Sequence, residues 1–306
     1  MATVAAAALA TPARAEVAER LVAVPAFSGE RALELVRRQC ALGPRTPGSA
    51  GNRALRDLVT KAARRAGLKV VEQRFNVPLG RQGSAIEACN IIVSAGPTDG
   101  RRLWLAAHFD TRPWADQDPV PARRKDPIPG ANDGGSGTAV LLQLIEMLGA
   151  TPPPQGVDLL FLDAEDSGQP HDPLGFCLGS RHLAESLGAF GSPLDASRCR
   201  GLVLFDMVGK SGARVTQEGY SLALAPEWTA AVFERAGKLG LDMFEPAPGR
   251  QIYDDHVPFL QAGVPAVDLI DFDDPRWHTT GDAPEGCSAG SLGQAGRLAA
   301  DLIWRP

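Results

Sequence analysis

The chain has 306 residues, a formal net charge of −5 and 22% charged residues, enough for one large core with an ordinary soluble balance. A mildly acidic chain gives no reason to expect a nucleic-acid or anionic-membrane partner, and no run of strongly apolar residues is long enough to span a bilayer. Five cysteines with no C-x-x-C pair argue against a cysteine zinc site, and their odd number leaves at least one thiol free or paired between chains; most read as small buried hydrophobes, with one disulfide allowed in an exported protein.

Residues 1–15 are rich in alanine and end Ala13-Arg14-Ala15, a pattern that a signal peptidase could cut, although a positively charged leader is missing. Two readings stay open. A cleaved leader implies a periplasmic or secreted protein; an Ala-rich tail implies a cytoplasmic one. Residues 16–306 read as a single catalytic domain.

Residues 30–67 predict two helices, broken by the Gly-Pro turn signals at 43–48. Strands follow at 68–77, 88–93 and 103–107, and then a Pro-rich loop covers 114–129. Residues 136–148 carry a helical period and stop at Gly149. Residues 157–162 are a continuous apolar run, as expected of a strand buried on both faces, and 202–205 and 266–270 repeat it. Further helices fit 180–187, 226–239 and 288–302. This alternation predicts an α/β domain with a mixed, mostly parallel central sheet and helices on both faces.

In such sheets ligands bind beyond the carboxyl ends of the strands, so the residues that follow each apolar run deserve inspection. They are His108 and Asp110; Asp133 at the start of a Gly-rich helix; Asp163, Glu165 and Asp166; Asp206; and His278. So many carboxylates at one edge would repel one another unless a cation balanced them, and His with carboxylates is a zinc-compatible donor set. Glu165 and Asp166 are adjacent and point apart in extended chain, so one can hold a metal while the other serves as a general base. The Gly-rich segment 134–137 lacks the Lys-Ser/Thr ending of a phosphate loop and fits a closely packed helix start. His182 reads as structural, His171 as solvated, His256 as either structural or a hydrogen-bonding support of the site, and Asp110 as a carboxylate that could orient His108.

Several segments together carry a resemblance: Arg45-Thr46-Pro47-Gly48-Ser49, His108-Phe109-Asp110, Asn132-Asp133, Glu165-Asp166, Gly179-Ser180-Arg181-His182-Leu183-Ala184, Asp254-Asp255-His256 and Trp277-His278-Thr279. The chain resembles the animal-type glutaminyl cyclases and their bacterial relatives, which share the fold of zinc aminopeptidases. The resemblance implies zinc at Asp133, Asp166 and His278, with Glu165 as proton shuttle and Asp206 and Asp254 as an acidic pair that orients the substrate amine. Trp277 would line the pocket. The implied substrates are peptides or proteins with N-terminal glutamine, cyclised to pyroglutamate. A monomer is the default state, since the sequence shows no coiled-coil heptad or obvious apolar patch.

His108 and Asp206 also stand where dinuclear aminopeptidases complete a second metal site, so one Zn2+ is expected and a second stays open. A dinuclear zinc aminopeptidase is the alternative, and a non-catalytic peptide-binding relative a third reading. The chain departs from the animal pattern in carrying Asp166 where those cyclases have Glu, as the bacterial relatives do. It lacks a tryptophan after Asp166, differs in the loop 271–276, and has no cysteine pair beside His108 or Asp133.

Overall fold

The computed structural model describes residues 23–78, 84–169, 172–189 and 191–306. The Ala-rich start and His171 lie outside the described residues. The elements are α1 (Gly29–Cys40), α2 (Ala50–Arg65), β1 (Lys69–Val77), β2 (Ile86–Ala95), β3 (Arg102–His108), α3 (Gly135–Ala150), β4 (Gly156–Leu162), α4 (Leu178–Ser186), β5 (Cys199–Asp206), β6 (Val215–Gln217), α5 (Gly219–Leu224), α6 (Pro226–Lys238), β7 (Phe244–Pro248), α7 (His256–Gln261), β8 (Ala266–Ile270) and α8 (Ala289–Trp304). Helix starts follow local chemistry. The side chains of Ser28, Ser49 and Ser288 accept the backbone N–H groups of Arg31, Asn52 and Ser291, satisfying donors that the first turn leaves unpaired.

The main sheet has the order β1-β2-β4-β3-β5-β8. Strands β4, β3, β5 and β8 run parallel, and β2 is antiparallel to both β4 and β1. The domain is therefore mixed and mostly parallel, as its apolar strand runs predict. Alternation along β3 divides the core. Leu103, Leu105 and Ala107 face the side packed by α1, α2, α3, α8 and part of α6, whereas Trp104 and Ala106 face the side packed by α4 and α7.

The short pair β6 and β7, and the six-residue helices α5 and α7, have no counterpart in the sequence reading. Each is too short to show a hydrophobic period. The five cysteines are all free, so the disulfide allowed for an exported protein is not formed. Among the described residues no helix is long and apolar enough to cross a membrane.

The connections create the site. From β3 the chain passes through α3 to β4 on one side, and from β4 it returns past β3 to β5 on the other. The carboxyl ends of β3, β4 and β5 thus surround a crevice at the point where the strand order reverses. Two glycines let α3 dock there. Gly134 has φ 73°, and a Cβ on it would lie 2.5 Å from the Asp110 carbonyl oxygen. A Cβ on Gly137 would lie 1.9 Å from the carbonyl oxygen of Phe205, at the end of β5. Gly137→Ala must therefore push α3 off the sheet, and we expect it to cost about 1–3 kcal/mol or more, read as a lower midpoint in chemical denaturation.

Candidate metal centre and active site

His108 closes β3 and Asp206 closes β5, while Asp166 follows β4 by four residues, so three strand ends deliver three polar side chains to one crevice. Asp133 stands at the start of α3, and His278 comes from the loop after β8. Backbone strain concentrates around them. Ala164, Cys177, Met207 and His278 are non-glycine residues at φ 60°, 55°, 48° and 55°, each within or beside the site.

Asp133 is the hinge of the arrangement. Its Oδ1 lies 3.2 Å from His108 Nε2, and the same nitrogen lies 3.2 Å from Asp206 Oδ1. Its Oδ2 lies 3.9 Å from His278 Nε2, which lies 3.3 Å from Asp166 Oδ1. Two triads share this one carboxylate, His108–Asp133–Asp206 and Asp133–Asp166–His278, each with candidate donor atoms within 4.8 Å of one another. All five residues are buried.

Electrostatics follow from the crowding. Burial and the Asp206 charge raise the Asp254 carboxyl to about 7. Burial likewise raises Asp206 and lifts Glu165 well above the ordinary range, although the His108 charge opposes both shifts. Burial disfavours protonation of the two imidazoles, but the surrounding carboxylates outweigh it. His278 is held at about 9 by Asp166 and Asp116, and His108 well above its ordinary value by Asp206, Asp110 and Asp133. Without a cation, this cluster relieves its charge by retaining protons. Asp133 Oδ2 and Asp166 Oδ2 are buried with no hydrogen-bond partner, which is the state of carboxylate oxygens that need a cation. The donor set fits zinc, which takes imidazole nitrogen and carboxylate oxygen.

A second ring of side chains fixes these donors, and the sequence reading missed most of it. Arg112, 1% exposed, donates from Nη1 to Asp166 Oδ1 at 2.9 Å and from Nε to Asp116 Oδ1 at 2.5 Å. Asp116 Oδ1 in turn lies 3.3 Å from His278 Nδ1. One guanidinium therefore ties together the Asp and the His of one triad, and leaves Asp166 Oδ2 free. Asp282 accepts the backbone N–H groups of Asn132 and Asp133 at 2.9 and 3.1 Å.

Asp110 stands beside His108, its Oδ1 3.5 Å from His108 Nδ1, as expected of a carboxylate that could orient it; Asp110 also accepts the N–H groups of Glu165 and Asp166 at 3.0 and 3.2 Å. Fully buried Arg45 donates to the carbonyls of Phe109, Pro129 and Gly130 and so braces two of the site loops. Arg112 directly follows the Asp110 segment and was open to the strand-end rule. Asp116 and Asp282 sit in loops, and nothing local marks their partners.

Glu165 and Asp166 do face different neighbours, the first His108 and Cys177, the second Arg112 and His278. A cavity of about 590 Å³ opens on Glu165, Asp166, Asp206, Asp254 and His278. Trp277 forms part of its wall, stacked on His278 with ring centroids 3.6 Å apart and packed on Phe272 at 4.9 Å. Phe176 lines the rim where the sequence lacks a tryptophan after Asp166. His182 is structural, as read, stacked on Phe75 at 4.5 Å. His256 is held by Glu218, Nε2 to Oε2 at 2.8 Å, behind the cavity-lining Asp254.

The pattern of Peptidase family M28 matches residues 90–303. This chain belongs to Peptidase family M28. Zinc is implied by that membership. Among solved structures, a Zn-dependent exopeptidase from Parabacteroides distasonis superimposes with TM-score 0.86 and 33% identity, covering 93% of this chain and 100% of the other. A Bacteroides thetaiotaomicron glutaminyl cyclase, bound to N-acetylhistamine, superimposes with TM-score 0.87 and 32% identity over 93% of this chain and 100% of the other. A glutaminyl-peptide cyclotransferase-like protein of Bos taurus is 27% identical over 263 residues, which are 78% of this chain and 66% of that protein. This M28 chain thus lies among cyclases and exopeptidases alike, and it spans just under two thirds of that mammalian relative.

The buried contact between Glu218 and His256 gives a pH test. Burial would raise the Glu218 carboxyl, but His256 and the backbone N–H groups of Ile252 and Ser221 outweigh it and hold it at about 2. A depressed acid contributes stability above its unfolded pKa of about 4.5 and loses it as pH falls towards 2. We expect Glu218→Gln to flatten the loss of stability between about pH 5 and pH 2 by up to about 3 kcal/mol, followed by urea denaturation across that range.

Proposed function

We propose that this chain is a zinc-dependent glutaminyl-peptide cyclotransferase that closes N-terminal glutamine to pyroglutamate and releases ammonia. The observation that carries the reading is Trp277, whose flat indole is stacked on His278 and, with the tilted ring of Phe272 beside it, forms an aromatic wall next to the acidic cluster. Such a wall suits the planar γ-carboxamide of a glutamine side chain. The likeness to the Bacteroides cyclase over 93% of the chain supports it.

In this reading Asp133, Asp166 and His278 hold one zinc. Zinc held there supplies a Lewis acid for the carboxamide oxygen. Asp206 and Asp254, both facing the cavity, attract the α-amine and aim it inward. Glu165 takes a proton from that amine as its nitrogen attacks the γ-carbon, and returns the proton to the leaving ammonia. The new C–N bond closes a five-membered ring as the old one breaks, with no water consumed. Because both reacting groups belong to one residue, the pocket mainly holds a near-attack shape. Peptides and proteins that begin with glutamine are the proposed substrates. The proposed state is a monomer.

A dinuclear aminopeptidase is the second reading, and one specific observation favours it: the Asp133 carboxylate spans two complete triads. His108 and Asp206 would then complete a second metal site, and Glu165 would activate water.

Zinc-loaded protein given a Gln-initiated peptide is expected to yield ammonia and a cyclised peptide of unchanged residue count, read by mass. Glu165→Gln should lower kcat by about 10²–10⁴-fold while keeping its zinc content. Release of the whole first residue would favour the aminopeptidase, and an active Glu165→Gln would remove the shuttle role.

A further inference from the structure

Cys177 has no part in the chemistry above, yet it touches the base. Its side chain is fully buried, and its Sγ lies 3.4 Å from Glu165 Oε1. Among the described residues this thiol is the only side chain within hydrogen-bonding distance of the Glu165 carboxylate; His108 Nδ1 lies 3.9 Å away. The contact is anchored from both chain segments. The Cys177 N–H donates to the Glu165 carbonyl at 2.8 Å, and the Leu178 N–H to the Ala164 carbonyl at 3.0 Å. Behind it, Ser180 Oγ bonds both the Cys177 carbonyl at 3.0 Å and Asp255 Oδ1 at 2.5 Å.

The backbone adds an independent argument. Cys177 sits at φ 55°, a conformation that glycine adopts at little cost and that a residue with a Cβ adopts at some expense. Were this position only a chain reversal, glycine would serve it better. The chain instead keeps a side chain there, and that side chain points at Glu165.

We propose that Cys177 is a positioning residue for Glu165, its S–H donating to the carboxylate and fixing the direction in which the proton shuttle faces; this rests on the cyclase reading for the role of Glu165. A thiol is a weak donor. It aims the carboxylate without locking it, which suits a group that must collect a proton from the amine and deliver it to the leaving nitrogen. An acid–base group displaced by about an ångström can lose a hundredfold in rate.

The test compares purified, zinc-loaded wild type with Cys177→Ala and Cys177→Ser on a Gln-initiated peptide, with zinc content and thermal midpoint measured alongside. Cys177→Ala is expected to lose about tenfold or more in kcat, with KM within about twofold and zinc content unchanged. Cys177→Ser, which restores a donor, should recover most of kcat. An alanine variant with wild-type kcat overturns the assignment, as does a serine variant no better than alanine. Should Cys177→Ala fail to fold, Cys177→Gly makes the same comparison, because glycine suits the positive φ. A wild type that forms no pyroglutamyl product overturns the cyclase reading itself, an outcome distinct from turnover that is indifferent to Cys177.

Discussion

Mutual repulsion among buried carboxylates at the C-terminal edge of the sheet is the constraint around which the rest of the site is built. Asp133, Asp166, Asp206 and Asp254 are all nearly or fully removed from water, with Glu165 beside them. Water cannot screen charges placed so close together. The chain answers in two ways. Arg112 brings one fixed cation to Asp166, and the remaining charge calls for protons or a metal. Buried oxygens without a hydrogen-bond partner on Asp133 and Asp166 are where a cation would fit.

Holding such a cluster takes scaffolding, and much of the molecule supplies it. Arg45 saturates three loop carbonyls, Asp282 pins the turn that carries Asp133, and Asp110 pins the turn that carries Glu165. Positive φ at Ala164, Cys177, Met207 and His278 places backbone strain beside these side chains. Near-parallel β3, β4 and β5 give the rigid base. Rigid elements hold reacting groups more closely than loops do, and here the loops that carry donors are tied down by buried charged side chains and hydrogen bonds.

How legible this was in the sequence depends on range. The buried strands announced themselves as apolar runs, and the residues directly after them proved to be those that meet in the crevice. His108, Asp166 and Asp206 stand at or just past such runs because parallel sheets place all their carboxyl ends on one side, whereas Asp133 was legible from the Gly-rich helix start it precedes and His278 from the loop after the last strand. Asp116 and Asp282 were not found. Their link to the donors runs through partners far along the chain, Asp116 with His278 and Asp282 with Asn132 and Asp133. β6 and β7 were missed for a related reason: three to five residues carry no period, and their pairing is decided by tertiary contact.

The claim that a metal balances this acid cluster is tested most directly by zinc titration of chelator-stripped protein near neutral pH, with the thermal unfolding midpoint as the readout. Binding to the folded state alone must raise stability by mass action. The midpoint is expected to climb with added zinc, and Asp133→Asn to abolish the response. A midpoint indifferent to zinc, with no metal retained, would contradict the claim.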